Sequence, residues 1–205
     1  MVFSIGEIID AIIMSLAVGF IYTKAFSVHA RHDDEYDPLK DKFGGFDWRA
    51  FWFTVAITAP SFVFHELAHK IVATLFGSHA TFYGACSVQR LDAILGFPCN
   101  IMILGFVLVF FSFPFVFVIP GYVSHTFVSP EASILIAFAG PFLNLVLWLG
   151  AFSLYHFKIV KKKKYIPLLI LTSKINMFLF IFNMMPLPIF DGFKVYEGLF
   201  RMFFG

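Results

Sequence analysis

Between Glu131 and Lys158 the chain has no Asp, Glu, Lys or Arg, and the run from Ala132 to Phe157 is almost wholly apolar. A helix needs about 20 such residues to cross the hydrocarbon core of a bilayer. Several other stretches of the chain have the same character. Hydrophobic residues make up 60% of the 205 positions and charged residues 14%, with 31 phenylalanines. Globular averages are about 45–50% and about 25%. A soluble fold of this size buries only about 70% of its surface and could not hide so much apolar area. Disorder, collagen-like repeats and disulfide scaffolds are excluded by the same numbers. The sequence describes an integral, multi-pass protein of the cell membrane.

The spans are read by asking where charges stop. The first runs from about Ile8 to Phe26, with Asp10 one turn inside it and Lys24 near its end. Glu7 and Asp10 stand where a secretory signal would carry basic residues, so this segment is expected to stay attached as a membrane helix. A charged connector follows from His29 to Arg49 and reads as a solvated loop. The second span runs from about Ala50 to Phe76. After it, Ala80–Tyr83 and Ala85–Val88 look like short strands. Ile101 to Val118 forms a third span with a kink expected at Pro114, and Ala132 to Phe157 forms the fourth, closed by Lys158 and Lys161 to Lys164. A fifth apolar stretch, Tyr165 to Phe190, carries Lys174 near its middle, where a charge must snorkel or face a wet interior. The lysine run places its loop in the cytoplasm by the positive-inside rule.

The expected fold is therefore an all-α polytopic membrane protein of about five to six transmembrane helices, with a short β element after the second span. It forms a single domain over 1–205, with its core at 50–192 and an N-terminal helix and charged loop at 1–49. The formal net charge of +2 and the lack of a basic patch argue against a nucleic-acid partner. Cys86 and Cys99 are too few for a disulfide framework.

The only acid–base cluster inside the hydrophobic portion is His65-Glu66-Leu67-Ala68-His69. Histidines at i and i+4 of a helix share one face, one turn apart, which suits two ligands of a tetrahedral zinc ion. Glu66 follows the first histidine and projects beside the metal, where it can take a proton from water. Two imidazoles and a carboxylate facing lipid would be costly and unpaired, so they need a reason to be there.

Catalytic zinc takes three protein ligands, so one is still missing. His29, His32, His79, His125 and His156 lie in loops or near span ends. Asp191 is better placed: it ends the fifth apolar stretch within Asn183-Met184-Met185-Pro186-Leu187-Pro188-Ile189-Phe190-Asp191-Gly192. Two prolines break the helix there, and broken backbone at membrane depth is tolerated only where protein or trapped water satisfies it. The competing reading of Asp191 is a carboxylate that caps the final short helix.

These two motifs together resemble the site-2 protease family of intramembrane metalloproteases, which pairs H-E-x-x-H on one membrane helix with a distant N-x-x-P-x-P-x-x-D-G on another. Gly140-Pro141-Phe142-Leu143-Asn144 is similar to the G-P-x-x-N element of an intervening family helix. The resemblance covers roughly Pro60 to Gly192. It implies a zinc metalloendopeptidase with one zinc ion per chain, held by His65, His69 and Asp191, with Glu66 as the catalytic acid–base. It implies that Asn183 helps to hold substrate or the developing oxyanion, although a polar residue bonding to backbone freed by the prolines is an equal reading. Asn144 is expected to hydrogen-bond across helices. The implied partners are transmembrane protein substrates in the lipid bilayer, with the 80–88 region offering an edge strand to an unwound segment. The additional apolar stretch at Ile101 to Val118 departs from the compact family core.

Other classes remain open at the level of sequence. A transporter would need ligands repeated along a path, whereas here they concentrate in one cluster. A non-catalytic metal-binding relative would be expected to have lost Glu66 or a ligand. A membrane-anchored zinc protease facing the cytosol would complete its site with a glutamate, and the only late one, Glu197, lies beyond Asp191-Gly192.

Overall fold

The computed structural model describes residues 3–30, 46–89, 97–111, 121–126 and 128–204. In order, these form α1 (Ile5–Ala30), α2 (Trp48–Leu75), β1 (Ala80–Gly84), α3 (Phe97–Phe110), β2 (Gly121–His125), α4 (Pro130–His156), a 3-10 turn (Lys163–Tyr165), α5 (Ile166–Asn183) and α6 (Asp191–Phe204). The chain is an all-α polytopic membrane fold with one small two-stranded sheet. Among the described residues, four helices are long and apolar enough to cross a membrane: α1, α2, α4 and the 163–183 segment containing α5. The third expected span is represented by α3, which at 14 residues is shorter than a bilayer crossing. Its C-terminal part, with the kink expected at Pro114, lies outside the described residues, as does most of the charged connector expected between His29 and Arg49.

Two compact units are present, one of Met1–Ala59 and Gly84–Gly121, the other of Pro60–Tyr83 and Tyr122–Gly205. In the first, α1 begins with a reciprocal cap. The Ser4 amide donates to the Glu7 carboxylate at 2.7 Å and the Glu7 amide donates to Ser4 Oγ at 3.2 Å, which satisfies two amides that a helix start leaves open. Met14, Val18 and Ile21 form one buried stripe, the i, i+4, i+7 face that packs inward. Gly19 lets α1 approach α2 closely, since a Cβ there would lie 2.2 Å from Val55 Cγ2. The hydroxyls of Ser15, Thr23 and Thr58 donate to carbonyls one turn back at 2.6–2.8 Å, so these helices hide their own polar groups.

Asp10, the charge that makes the first span marginal by sequence, is buried and fully engaged. Its carboxylate accepts from the Gly84 amide at 3.2 Å, the Val88 amide at 3.0 Å, Gln89 Nε2 at 2.8 Å and the Ser87 hydroxyl. This explains why Ala85–Val88 is a turn rather than the expected strand. Its amides converge on a carboxylate instead of pairing along a ladder. Cys86 and Cys99 are joined in a disulfide across 13 residues of sequence, a closure that stabilises a fold by about 3 kcal/mol.

The second unit contains the C-terminal part of α2, the β1–β2 sheet, α4, α5 and α6. Here α4 starts at Ser129, whose hydroxyl accepts from the Ala132 amide at 3.3 Å, with Pro130 in the first turn. The buried face of α4 is mostly small: Ala132, Ala137, Gly140, Pro141 and Ala151 join Ile136 and Asn144. Small residues let membrane helices pack backbone to backbone. The amphipathic α6 closes on α4 where Gly198 meets Ile134, and a Cβ at 198 would lie 2.4 Å from Ile134 Cγ1. Lys174 is exposed in the middle of α5.

Asp10→Ala should lower stability by about 2–4 kcal/mol, because four donors lose a charged acceptor at once. Thermal unfolding in detergent measures this, and an unchanged Tm would show that the 84–89 turn does not depend on Asp10.

Candidate metal centre

His65 and His69 lie on α2 one turn apart, and both are buried, with 6% of their surface exposed. Asp191 is the first residue of α6. The Nε2 atoms of the two histidines are 3.1 Å apart, and Asp191 Oδ2 lies 3.1 Å from His65 Nε2 and 3.2 Å from His69 Nε2. The three ligand candidates named from the sequence therefore form a nearly equilateral triangle. Donors at about 2.0–2.2 Å from a tetrahedral zinc ion would be separated by roughly 3.3–3.5 Å. The triangle is slightly tighter than that, and its three atoms are close enough to share one metal ion.

The protonation pattern gives an independent test of fit. His69 Nδ1 lies 2.6 Å from the carbonyl oxygen of Ile136 on α4. A carbonyl can only accept, so Nδ1 carries the proton and the neutral ring presents a bare lone pair at Nε2. That lone pair faces a carboxylate oxygen and a second imidazole nitrogen. His65 Nδ1, on the other side of its ring, is buried and has no hydrogen-bond partner among the described residues, whichever group Nε2 meets. A cation satisfies all three converging atoms together. The donor set of two imidazoles and one carboxylate suits zinc. Among the described residues this is the one group of three or more such side chains placed to hold a metal ion.

Two glycines make the geometry possible. Gly140 on α4 faces the histidines directly: a Cβ there would lie 2.4 Å from His69 Nε2 and 2.7 Å from His65 Nε2. Gly192 abuts the end of α5, where a Cβ would lie 2.6–2.8 Å from the Met184 backbone. Between them the chain folds back in tight turns, with the Leu187 amide donating to the Met185 carbonyl and the Phe190 amide to the Leu187 carbonyl, both at 2.9 Å. Pro186 and Pro188 sit inside these turns and preset them. The segment 184–191 is thereby compacted, and Asp191 is delivered to the histidines instead of continuing along the axis of α5.

Glu66 is half-buried on α2 beside His65, and no described donor hydrogen-bonds to its carboxyl. Asn183 is the last residue of α5 and half-buried, eight residues before Asp191. Of the other histidines, His79 is exposed just before β1, His156 is exposed at the end of α4, and His125 Nδ1 donates to the Thr126 carbonyl at 3.0 Å. None joins the group. The His29 side chain and His32 lie outside what is described. Sequence reading missed two contributors, the Ile136 carbonyl and the close fit of Gly192 on Met184. The first has no sequence signature. The second was foreshadowed by the Asp-Gly pair following two prolines.

Gly192→Ala should displace Asp191 and lower the metal content of the purified protein. Gly140→Ala should do the same by pushing on both imidazoles. Metal analysis after purification reads both, and full metal content in the two variants would show that neither glycine is needed for the triangle.

No family model matches the chain, and no solved structure matches it. A curated protein of Methanocaldococcus jannaschii, named "Putative zinc metalloprotease", is 30% identical over 197 residues, which cover 94% of this chain and 84% of the archaeal protein. The chain belongs to the zinc metalloprotease family of that archaeal protein.

Proposed function

We propose that the chain is an intramembrane zinc metalloprotease of the site-2 protease kind, a single protease domain with its core at 50–192, which hydrolyses peptide bonds within or near transmembrane segments of other membrane proteins. The observation that carries this reading is the His65–His69–Asp191 triangle, two of whose members lie on a helix long and apolar enough to cross a membrane. A zinc ion held there would polarise a peptide carbonyl and make water a stronger acid.

The remaining chemistry belongs to the protein. Glu66 follows a ligand directly on α2, and no donor among the described residues hydrogen-bonds to its carboxyl, which leaves it able to accept a proton from water and return it to the leaving amine. The Ile136 carbonyl holds His69 in the tautomer that leaves Nε2 unprotonated. Asn183, just ahead of the turns that carry Asp191, is assigned to holding the substrate's backbone. A membrane helix hides its peptide bonds in its own hydrogen bonds and must be unwound before cleavage. The two-stranded β1–β2 sheet offers an edge on which an extended segment can pair.

The test is an assay of the purified protein in detergent against single-span membrane peptides, with and without a zinc chelator. Cleavage that stops with chelation and returns with zinc supports the reading, whereas bound zinc without cleavage of any peptide favours a non-catalytic metal-binding protein. Glu66→Gln should lower turnover by about 10²- to 10⁴-fold with zinc content unchanged, because no ligand is touched. Asp191→Ala should lose zinc and activity together. A capping aspartate would instead cost about 1 kcal/mol and leave the metal in place. Normal zinc content in Asp191→Ala would remove the carboxylate from the site.

A further inference from the structure

One helical turn from the histidines, the second unit buries polar groups that the protein itself does not satisfy. Asn144 on α4 is 0% exposed, and among the described residues neither its Oδ1 nor its Nδ2 meets a hydrogen-bond partner. Asn176 on α5 is also 0% exposed. Its Nδ2 donates to Ser61 Oγ at 2.9 Å and to the Thr172 carbonyl at 2.8 Å. Because a carbonyl only accepts, the amide nitrogen is correctly on that side, and the unpaired atom is the acceptor Oδ1. The cross-helix hydrogen bond expected for Asn144 is therefore not made.

The three residues occupy one level of the bundle. Helices α2 and α4 run in opposite senses, since the Ile136 carbonyl meets His69 while Gly140 lies against both His65 and His69. One turn further along α4 is Asn144, and one turn back along α2 is Ser61, a displacement of about 6 Å for each. Ser61 is the residue that Asn176 grips. Helices α4 and α5 pack on each other along their length, and the Trp148 and Phe180 rings, each one turn beyond an asparagine, lie 6.1 Å apart. An unpaired amide in such surroundings costs several kcal/mol. A buried water makes about three hydrogen bonds. Asn144 offers two donors and an acceptor and Asn176 a further acceptor, which is a suitable set for one or two water molecules.

We infer that Asn144 and Asn176, backed by Ser61, form an internal water-binding site between α2, α4 and α5, one helical turn from the metal centre. The site follows from packing and hydrogen bonding alone and holds whether or not the centre cuts peptides. Its use as a store of water for hydrolysis rests on the proteolytic reading.

Radiolytic labelling of the full chain in lipid nanodiscs, carried out in ¹⁸O-water, tests this without reference to activity. Water bound at the site should oxidise Trp148 and Phe180, each one turn from an asparagine, while Phe142, exposed on the outer surface of α4, stays unlabelled under the lipid. Asn144→Leu, close to isosteric, should lose the label at both rings. Absence of label at Trp148 and Phe180 in the wild-type chain would show the site to be dry and overturn the inference, even if the variant fails to fold. Undiminished label in a folded Asn144→Leu variant would overturn it equally.

Discussion

Nε2 of His65, Nε2 of His69 and Oδ2 of Asp191 meet at 3.1–3.2 Å from one another, and the packing of the second unit is arranged around that meeting. Bringing three lone-pair atoms together among apolar helices is unfavourable without a positive charge to balance them. Two of the close approaches in this unit occur there. Gly140 removes a side chain from the face of α4 that the imidazoles need, and Gly192 removes one where α6 passes the end of α5. The small residues along α4 serve the same requirement, because a wide helix separation would carry the Ile136 carbonyl out of reach of His69.

How far the sequence foretold this depends on which interactions are local. His65 and His69 share a face because helix geometry fixes residues four apart, so H-E-x-x-H was enough to place them. Asp191 is 122 residues from His69, and nothing local dictates that they meet. The prolines signalled a broken helix, but the return depends on the turns at 185–190 and on a glycine seated against the Met184 backbone. The Ile136 carbonyl was illegible for a different reason, since every residue has a carbonyl and only the packed bundle selects one. In the first unit the same distinction separates Asp10, legible as an oddity in an apolar helix, from its partners, two of which are backbone amides. Cys86 and Cys99 were read as too few for a framework, yet one bond between them constrains the segment that Asp10 also holds.

The handling of polar groups separates the two units. In the first, each polar group described above has its bonds made within the protein. Ser15, Thr23 and Thr58 turn back on their own helices, Ser4 and Glu7 cap each other, and Asp10 takes four donors. These are the means by which a chain in an apolar environment avoids the cost of bare donors and acceptors. They need no ligand and suggest none.

Among the described residues of the second unit, the buried unpaired atoms are His65 Nδ1, both polar atoms of Asn144, and Asn176 Oδ1. They are not scattered. His65 belongs to the triangle, and the asparagines lie on the two helices packed against α2 and each other, a turn away. Chance placement of expensive groups would not concentrate them at one depth of three helices, because each unpaired atom would be destabilising wherever it stood. Groups kept unpaired together are groups kept for something the protein does not itself supply. The triangle itself uses the opposite ring nitrogen of His65, Nε2, and beside it the amides offer the donors and acceptors that water uses. On the proteolytic reading proposed above, a centre that hydrolyses peptides inside an apolar bundle needs a cation and water within a helical turn of each other.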